Sequence, residues 1–124
     1  MNKQWWITGS ILMALSVALG AFGAHGLESR LSEEDLSTYD TAVHYHMVHA
    51  LGLILLGILT KPADPAASAK WAGRLFVLGI LFFSGSLYVL SISGWKMLGA
   101  VAPLGGLSFI GAWVLTARYA WKRI

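Results

Sequence analysis

The chain has 124 residues, of which 56% are hydrophobic and 12% are charged, whereas about 25% of the residues in an average soluble domain are charged. Because one small soluble core could not bury this much apolar surface, the composition excludes an ordinary soluble domain and indicates a membrane protein. The absence of cysteine excludes disulfides and thiol chemistry, and the net charge of +3 comes from basic residues beside hydrophobic stretches, so we expect no nucleic-acid partner.

Four hydrophobic stretches are long enough to cross a bilayer, which takes about 20 mostly apolar residues in a helix. We therefore predict an all-α fold, a polytopic bundle of four transmembrane helices. It forms a single domain over residues 1–124, with spans at about 5–27, 41–60, 71–91 and 98–117. The first stretch follows Lys3 as a signal peptide would, but it is too long for one, so we expect it to remain as a span.

Two of the connections between the spans carry local signals. Ser32 precedes three acidic residues, a pattern that predicts a helix N-cap. A short helix should therefore begin near Glu33 and either precede or extend the second span. In the second connection, Pro62 and Pro65 are expected to end the helix before them.

The basic residues predict the orientation of the chain, because cytoplasmic loops are enriched in lysine and arginine. The N-terminus, the second connection and the C-terminus fall on one side of the bundle, which we therefore expect to be cytoplasmic. The first and third connections carry only Arg30 and Lys96. The basic residues on the cytoplasmic side are Lys3, Lys61, Lys70, Arg74, Arg118, Lys122 and Arg123.

Polar and helix-breaking residues concentrate in the outer half of each predicted span. Counting about 1.5 Å per residue from Lys61 places His49 roughly 18 Å from the inner boundary. His46 lies nearer the outer surface, and His25 of the first span reaches a similar level. Tyr45 shares a helix face with His49, while Ser84 and Tyr88 lie in the third span. We predict from these residues a polar pocket that opens outward above an apolar inner half.

The membrane histidines allow two interpretations. His46 and His49, three positions apart, could provide half of a metal or haem site together with His25. No cysteine or buried carboxylate completes such a set, so we predict no metal site. The favoured interpretation is that the imidazoles hydrogen-bond neighbouring helices, although ionisable residues within a membrane are commonly functional.

Glycine and proline patterns mark two further features. Glycine at positions 20, 23 and 26 predicts a groove of small residues for close helix packing. Pro103, followed by Gly105 and Gly106, is expected to kink or locally unwind the fourth span. A broken helix of this kind serves either a binding site, as in transporters, or packing alone.

The sequence contains no pattern typical of catalysis. Neither a Ser/His/Asp spacing nor paired buried carboxylates occur, and Ser84 or Ser86 with His49 is the one conceivable nucleophile and base. We therefore predict no catalytic residues and a protein that is not an enzyme.

The chain resembles the YgdD/YwdK-type family, small four-span bacterial membrane proteins of unknown function with relatives among animal transmembrane proteins. The resemblance rests on residues 20–27 (GAFGAHGL), Tyr45 with 49–51, 83–88 (FSGSLY), and 103–106 (PLGG) with 111–113. It implies a bacterial inner (plasma) membrane protein and transfers no activity. It also implies that several residues are family features, namely His25, Tyr45, His49, Ser84, Gly85, Tyr88 and Pro103. Members often have threonine before the proline of the fourth span. Here Ala102 occupies that position, so any role that the threonine hydroxyl has in those members is absent from this chain or is carried by another residue.

Three functions remain open at this level. The first is a non-enzymatic module that binds a small ligand, a lipid or a partner helix in the outer pocket, with membrane lipids, a second copy or another membrane protein as partners. The second is a subunit of an oligomeric small-solute or proton-coupled transporter. The third is a haem, metal or quinone protein that uses the histidines. The candidate ligand-binding residues are His25, Tyr45, His46, His49, Ser84, Tyr88 and Pro103.

Overall fold

A computed structural model describes residues 2–61 and 66–124, and every regular element in these two ranges is helical. Two of the helices contain a π-helical turn. The elements in chain order are α1 (Lys3–Phe22) continued by a π turn (Gly23–Leu27), α2 (Glu33–Leu59), α3 (Ala67–Gly79) continued by a π turn (Ile80–Ser84) and by α4 (Gly85–Ser93), and α5 (Leu98–Arg123).

These elements form four long apolar helices, which confirms the predicted all-α class with four candidate membrane spans. The spans are Lys3–Leu27, Glu33–Leu59, Ala67–Ser93 and Leu98–Arg123. Successive spans run in opposite directions, and the Asn2 amide donates a hydrogen bond to the Gly57 carbonyl. Both termini therefore lie at the end of the bundle that holds Lys61, which we call the basic end. The opposite end, with residues 28–32, is the acidic end.

The second span begins where the sequence predicts. The Ser32 hydroxyl accepts a hydrogen bond from the Asp35 amide at 3.1 Å, and three acidic residues occupy the first turn. From there α2 continues without interruption to Leu59, so the predicted short helix is an extension of the span. Thr60 then adopts an extended conformation. The predicted helix-ending roles of Pro62 and Pro65 lie outside the described residues.

The first and second spans pack backbone to backbone at glycine. A Cβ atom on Gly9 would lie 2.8 Å from the Ala50 carbonyl oxygen, and one on Gly57 would lie 2.6 Å from the Trp6 amide nitrogen. The predicted small-residue groove is formed in part: Gly20 faces Val43, and Gly23 makes room for the ring of Tyr39. The space beside Gly26 is instead filled by Phe22 of the same helix.

The core lies between α2, the third span and α5. Gly105 packs against the backbone of residues 82–83, and the Ser108 hydroxyl donates to the Leu75 carbonyl at 2.8 Å. Large apolar side chains also cover the outer surface, as expected for helices that face lipid. The buried core residues are Ala50, Leu53, Leu56, Ala72, Phe76, Ile80, Phe109 and Ala112.

Of the two predicted effects of Pro103, a kink or local unwinding, the structure excludes local unwinding. Helix α5 runs unbroken from Leu98 to Arg123, with Pro103 exposed in its second turn. A proline removes one backbone donor, and here only about one helical turn precedes it, so the helix continues past it. The interruptions lie in the first and third spans, as the two π turns.

Candidate functional site

An open groove of about 770 Å³ lies between the second and fourth spans. Its wall on α5 extends from Pro103 to Trp113, which is about 15 Å along the helix axis. Its lining is mostly apolar and is supplied by α2, the π turn of the third span and α5. The lining residues are His44, Tyr45, Val48, His49, Phe83, Pro103, Gly106, Leu107, Phe109, Ile110 and Trp113.

The groove opens sideways from the bundle. Val48, Leu107 and Ile110 line it and are at the same time exposed, with 40%, 65% and 61% of their surfaces free. All three lie within candidate membrane spans. In a bilayer these exposed lining residues would therefore face the lipid chains.

His49 is the one buried polar side chain among the described residues that line this groove, with an exposed fraction of 5%. Its Nδ1 lies 2.6 Å from the Tyr45 carbonyl oxygen. Because a carbonyl only accepts hydrogen bonds, Nδ1 carries the proton, and the acceptor of the neutral ring is Nε2. No hydrogen bond to Nε2 is found within the described residues, and Nε2 is not among the fully enclosed polar atoms there.

Aromatic rings hold the His49 imidazole in place. It stacks on Phe109 with ring centroids 3.5 Å apart and planes 12° apart. Tyr45 lies nearly parallel on the same helix, with centroids 5.8 Å apart, and packs in turn against Phe83 at 4.6 Å. Trp113 lies at 5.8 Å from the imidazole. The position of the ring is therefore fixed by packing as well as by its hydrogen bond.

A second polar cluster lies inside the bundle, away from the groove. The Nδ1 atom of His46 is 2.8 Å from the Tyr88 hydroxyl, and Tyr88 meets the ring of Tyr39 edge-on at 5.3 Å. The Tyr39 hydroxyl donates to the Leu19 carbonyl at 2.5 Å. This cluster, His46 with Tyr39 and Tyr88, therefore joins the first, second and third spans.

Two buried polar atoms near the middle of the spans have no hydrogen-bond partner among the described residues: His46 Nε2 and Ser84 Oγ. The backbone of Leu12 also lies beside the His46 imidazole. Both side chains are almost completely enclosed, at 1% and 0% exposed. Their enclosure separates them from the lipid-facing groove that His49 lines.

Comparison with known proteins identifies the chain. The family model described as "Protein of unknown function (DUF423)" matches residues 19–106. UPF0382 membrane protein YwdK of Bacillus subtilis is 46% identical over 120 residues, which cover 97% of this chain and 98% of the relative. UPF0382 membrane protein SH2409 of Staphylococcus haemolyticus is 45% identical over 113 residues, 91% of each chain. The chain belongs to the DUF423/UPF0382 family.

This UPF0382 protein is thus a bacterial multi-pass membrane protein with four candidate spans, and the resemblance noted from its motifs is confirmed. No solved structure matches it.

The seven predicted site residues of this UPF0382 protein fall into separate places rather than one pocket. Tyr45, His49 and Pro103 line the groove. His46 and Tyr88 form the internal cluster, and Ser84 is enclosed in the core. The reason is geometric: His46 and His49 are three positions apart and lie about 60° apart around α2, so they face different neighbouring helices.

His25 lies outside both places. It is exposed in the π turn Gly23–Leu27 and forms no ring contact with another aromatic side chain in the described ranges. No group of three potential metal ligands occurs in the described parts of the chain, so the set of His25, His46 and His49 is not assembled.

Sequence reasoning missed most of the apolar lining of the groove, in particular Phe109, Leu107 and Ile110. Apolar residues in an apolar span carry no signal of their own, whereas a histidine does. Trp113 was the available signal, because it lies in the middle of a span rather than at the interface where tryptophan usually concentrates.

Proposed function

We propose that this UPF0382 protein is a non-enzymatic membrane module that binds a lipid-soluble small molecule or lipid in the groove between its second and fourth spans. The observation that carries the proposal is a side-open aromatic groove of about 770 Å³ with one buried imidazole in its wall. Ligand sites commonly have about 300–1,000 Å³ and an apolar lining with few polar groups.

The chemistry of the lining supports binding rather than catalysis. Among the described residues, no carboxylate, lysine, serine or threonine lines the groove, so His49 has no such nucleophile to activate there. Ser84, the conceivable nucleophile, is fully enclosed in the core. The protein is accordingly proposed to hold its ligand unchanged.

The orientation of the protein follows from its charges. We place the basic end in the cytoplasm, because it holds seven of the nine lysine and arginine residues and cytoplasmic segments are enriched in these. His49 precedes the end of α2 at Leu59 by about 15 Å. The groove would then lie from mid-membrane into the outer half of the inner (plasma) membrane.

The same surface chemistry defines the expected partners. Besides lipid, a second copy or another membrane protein can cover the exposed apolar face of the first span, which includes Trp6, Ile7 and Ile11. Nucleic acid is not an expected partner, because the basic residues lie at the membrane boundary of the spans.

Native mass spectrometry of protein released from nanodiscs tests the proposal. Gly106 lines the groove and has space beside it, since the nearest atom to an added Cβ is 3.8 Å away. Gly106→Leu should therefore fill the groove without disturbing the fold. Gly99→Leu is the matched control, because Gly99 is on the same helix, has similar space and does not line the groove.

The expected result is a bound small molecule or lipid that wild type and Gly99→Leu retain and Gly106→Leu loses. Equal retention by all three folded proteins would place the bound species elsewhere. If none of the three retains a bound species, the groove is not a ligand site.

A further inference from the structure

We infer that the groove selects a lipid-soluble hydroxylated aromatic ring, a phenol or quinol, whose hydroxyl donates a hydrogen bond to Nε2 of His49. This inference rests on the proposed function, because it names the ligand class of the same groove.

The hydrogen bond of His49 determines which of its two ring nitrogens carries the proton. Its Nδ1 is held 2.6 Å from the carbonyl oxygen of Tyr45, which cannot donate. The neutral imidazole must therefore protonate Nδ1 and leave the lone pair on Nε2. No carboxylate in the described parts of the chain lines the groove to stabilise an imidazolium, and a charged ring in the membrane is costly.

Nε2 of His49 needs a hydrogen-bond donor that the described residues do not supply. Nothing in the described ranges hydrogen-bonds to it, and the parallel ring of Tyr45 lies 5.8 Å away. Hydrocarbon chains offer no donor, and an unpaired polar atom in that environment is unfavourable. A ligand that brings a hydroxyl meets this need, whereas a ketone or an ether does not.

The aromatic lining of the groove indicates the chemistry of the rest of the ligand. Tyr45, Phe83, Phe109 and Trp113 line the groove, and aromatic side chains favour offset or edge-on contact with a further ring. Within residues 2–61 and 66–124, no lysine or arginine lines it, so a phosphate headgroup would find no cation from these residues. A flat hydroxylated ring with an apolar tail fits this lining better than a phospholipid headgroup.

The fixed position of His49 adds selectivity. Stacking on Phe109 at 3.5 Å and the Tyr45 hydrogen bond prevent the imidazole from turning to exchange its donor and acceptor. A site built around a fixed acceptor rejects an analogue that lacks the donor, because the acceptor is then left unpaired.

The test compares two probes that differ only in the donor: para-nonylphenol and its methyl ether, para-nonylanisole. Binding to the full-length protein in nanodiscs is measured by titration calorimetry, with empty nanodiscs subtracted for partitioning. Wild type should bind the phenol about tenfold more tightly than the ether. His49→Phe, which keeps a ring against Phe109, should bind both probes equally. His25→Phe is the matched control, because His25 is exposed outside the groove.

Each result of this comparison either supports the inference or overturns it. A tenfold preference in wild type and His25→Phe that disappears in His49→Phe supports the inference. Equal binding of both probes by wild type overturns it while leaving groove binding intact. A preference that persists in His49→Phe also overturns it, because another group then accepts the hydrogen bond from the phenol. If neither probe binds while the species in the mass spectra remains, the ligand class is wrong and the groove still binds.

Nitrogen NMR of histidine-labelled wild type provides a second test that needs no variant. Nε2 of His49 should be unprotonated in the free protein and should shift on addition of the phenol and not of the ether. A protonated Nε2 in the free protein would overturn the inference.

Discussion

The Nδ1 atom of His46 lies 2.8 Å from the hydroxyl of Tyr88, and this contact links the second and third spans within the bundle. The other nitrogen of the same ring is enclosed without a hydrogen-bond partner among the described residues. The side-chain hydrogen bond of His46 is therefore the one between its Nδ1 and Tyr88. His46 therefore joins two helices, as the sequence interpretation expected of the membrane histidines. His49, three residues later, faces the groove instead.

Removing this hydroxyl should destabilise the bundle. Tyr88→Phe removes the side-chain partner of His46 Nδ1, and interhelical hydrogen bonds in membranes contribute about 0.6–1.7 kcal/mol. We expect the free energy of unfolding to fall by about 1 kcal/mol, measured by denaturant titration in mixed micelles. Tyr45→Phe is the control and should have no such effect, since Tyr45 is exposed and its hydroxyl forms no hydrogen bond in the described ranges. Equal losses in both variants would contradict the assigned role of Tyr88.

Close contact of the first two spans depends on Gly9. A methyl group there would lie 2.8 Å from the Ala50 carbonyl oxygen and 2.8 Å from the Ile54 side chain, so the two helices would have to separate. Gly9→Ala should lower the free energy of unfolding by about 2 kcal/mol. Gly99→Ala, with its nearest neighbour at 4.0 Å, should be neutral or stabilising, because alanine favours helix more than glycine does. Thermal unfolding of both variants provides the comparison. If Gly9→Ala unfolds at the same temperature as wild type, the two helices are not this close.

The stacking of Phe109 on His49 should contribute to ligand affinity. Phe109→Leu keeps an apolar side chain in the core but removes the ring that fixes the imidazole. We expect the affinity for para-nonylphenol to fall about threefold, the value of one aromatic contact. Phe82→Leu makes the same change at an exposed residue outside the groove and should leave the affinity unchanged. A loss of equal size in Phe82→Leu would exclude a specific role for the stack.

The proposed orientation can be tested directly because the chain has no cysteine. Glu34→Cys and Lys122→Cys place single thiols at exposed positions near opposite ends of the bundle. A membrane-impermeant maleimide added to intact cells should label position 34 and reach position 122 only after lysis. The reverse pattern would place the termini outside.

The sequence predicted the four helices because a membrane span requires a long stretch of hydrophobic residues, which the composition shows directly. Hydrophobic length located four helices, and Ser32 marked the start of α2 at Glu33. The two π turns, Gly23–Leu27 and Ile80–Ser84, were not predicted. A π turn inserts one extra residue into a helix without any required residue type, so the sequence has no distinctive signal for it.

The candidate site was predicted only in part, because depth in the membrane does not determine which helix faces which. His46 and His49 lie at adjacent levels, so depth alone grouped them in one pocket. Packing directs them to different neighbours. Pro103 was noticed as a helix breaker and contributes instead as a lining residue of the groove on an unbroken helix.

Photo-crosslinking tests the central claim, that the groove between the second and fourth spans is the ligand site. An alkylphenol that carries a diazirine is bound to the protein in nanodiscs, irradiated, and its adducts are mapped by peptide sequencing. The claim predicts adducts concentrated at Val48, Leu107 and Ile110, reduced by excess para-nonylphenol and lost in Gly106→Leu. Adducts spread equally over exposed residues of the first span, such as Ile11 and Leu15, and unaffected by competitor would contradict it.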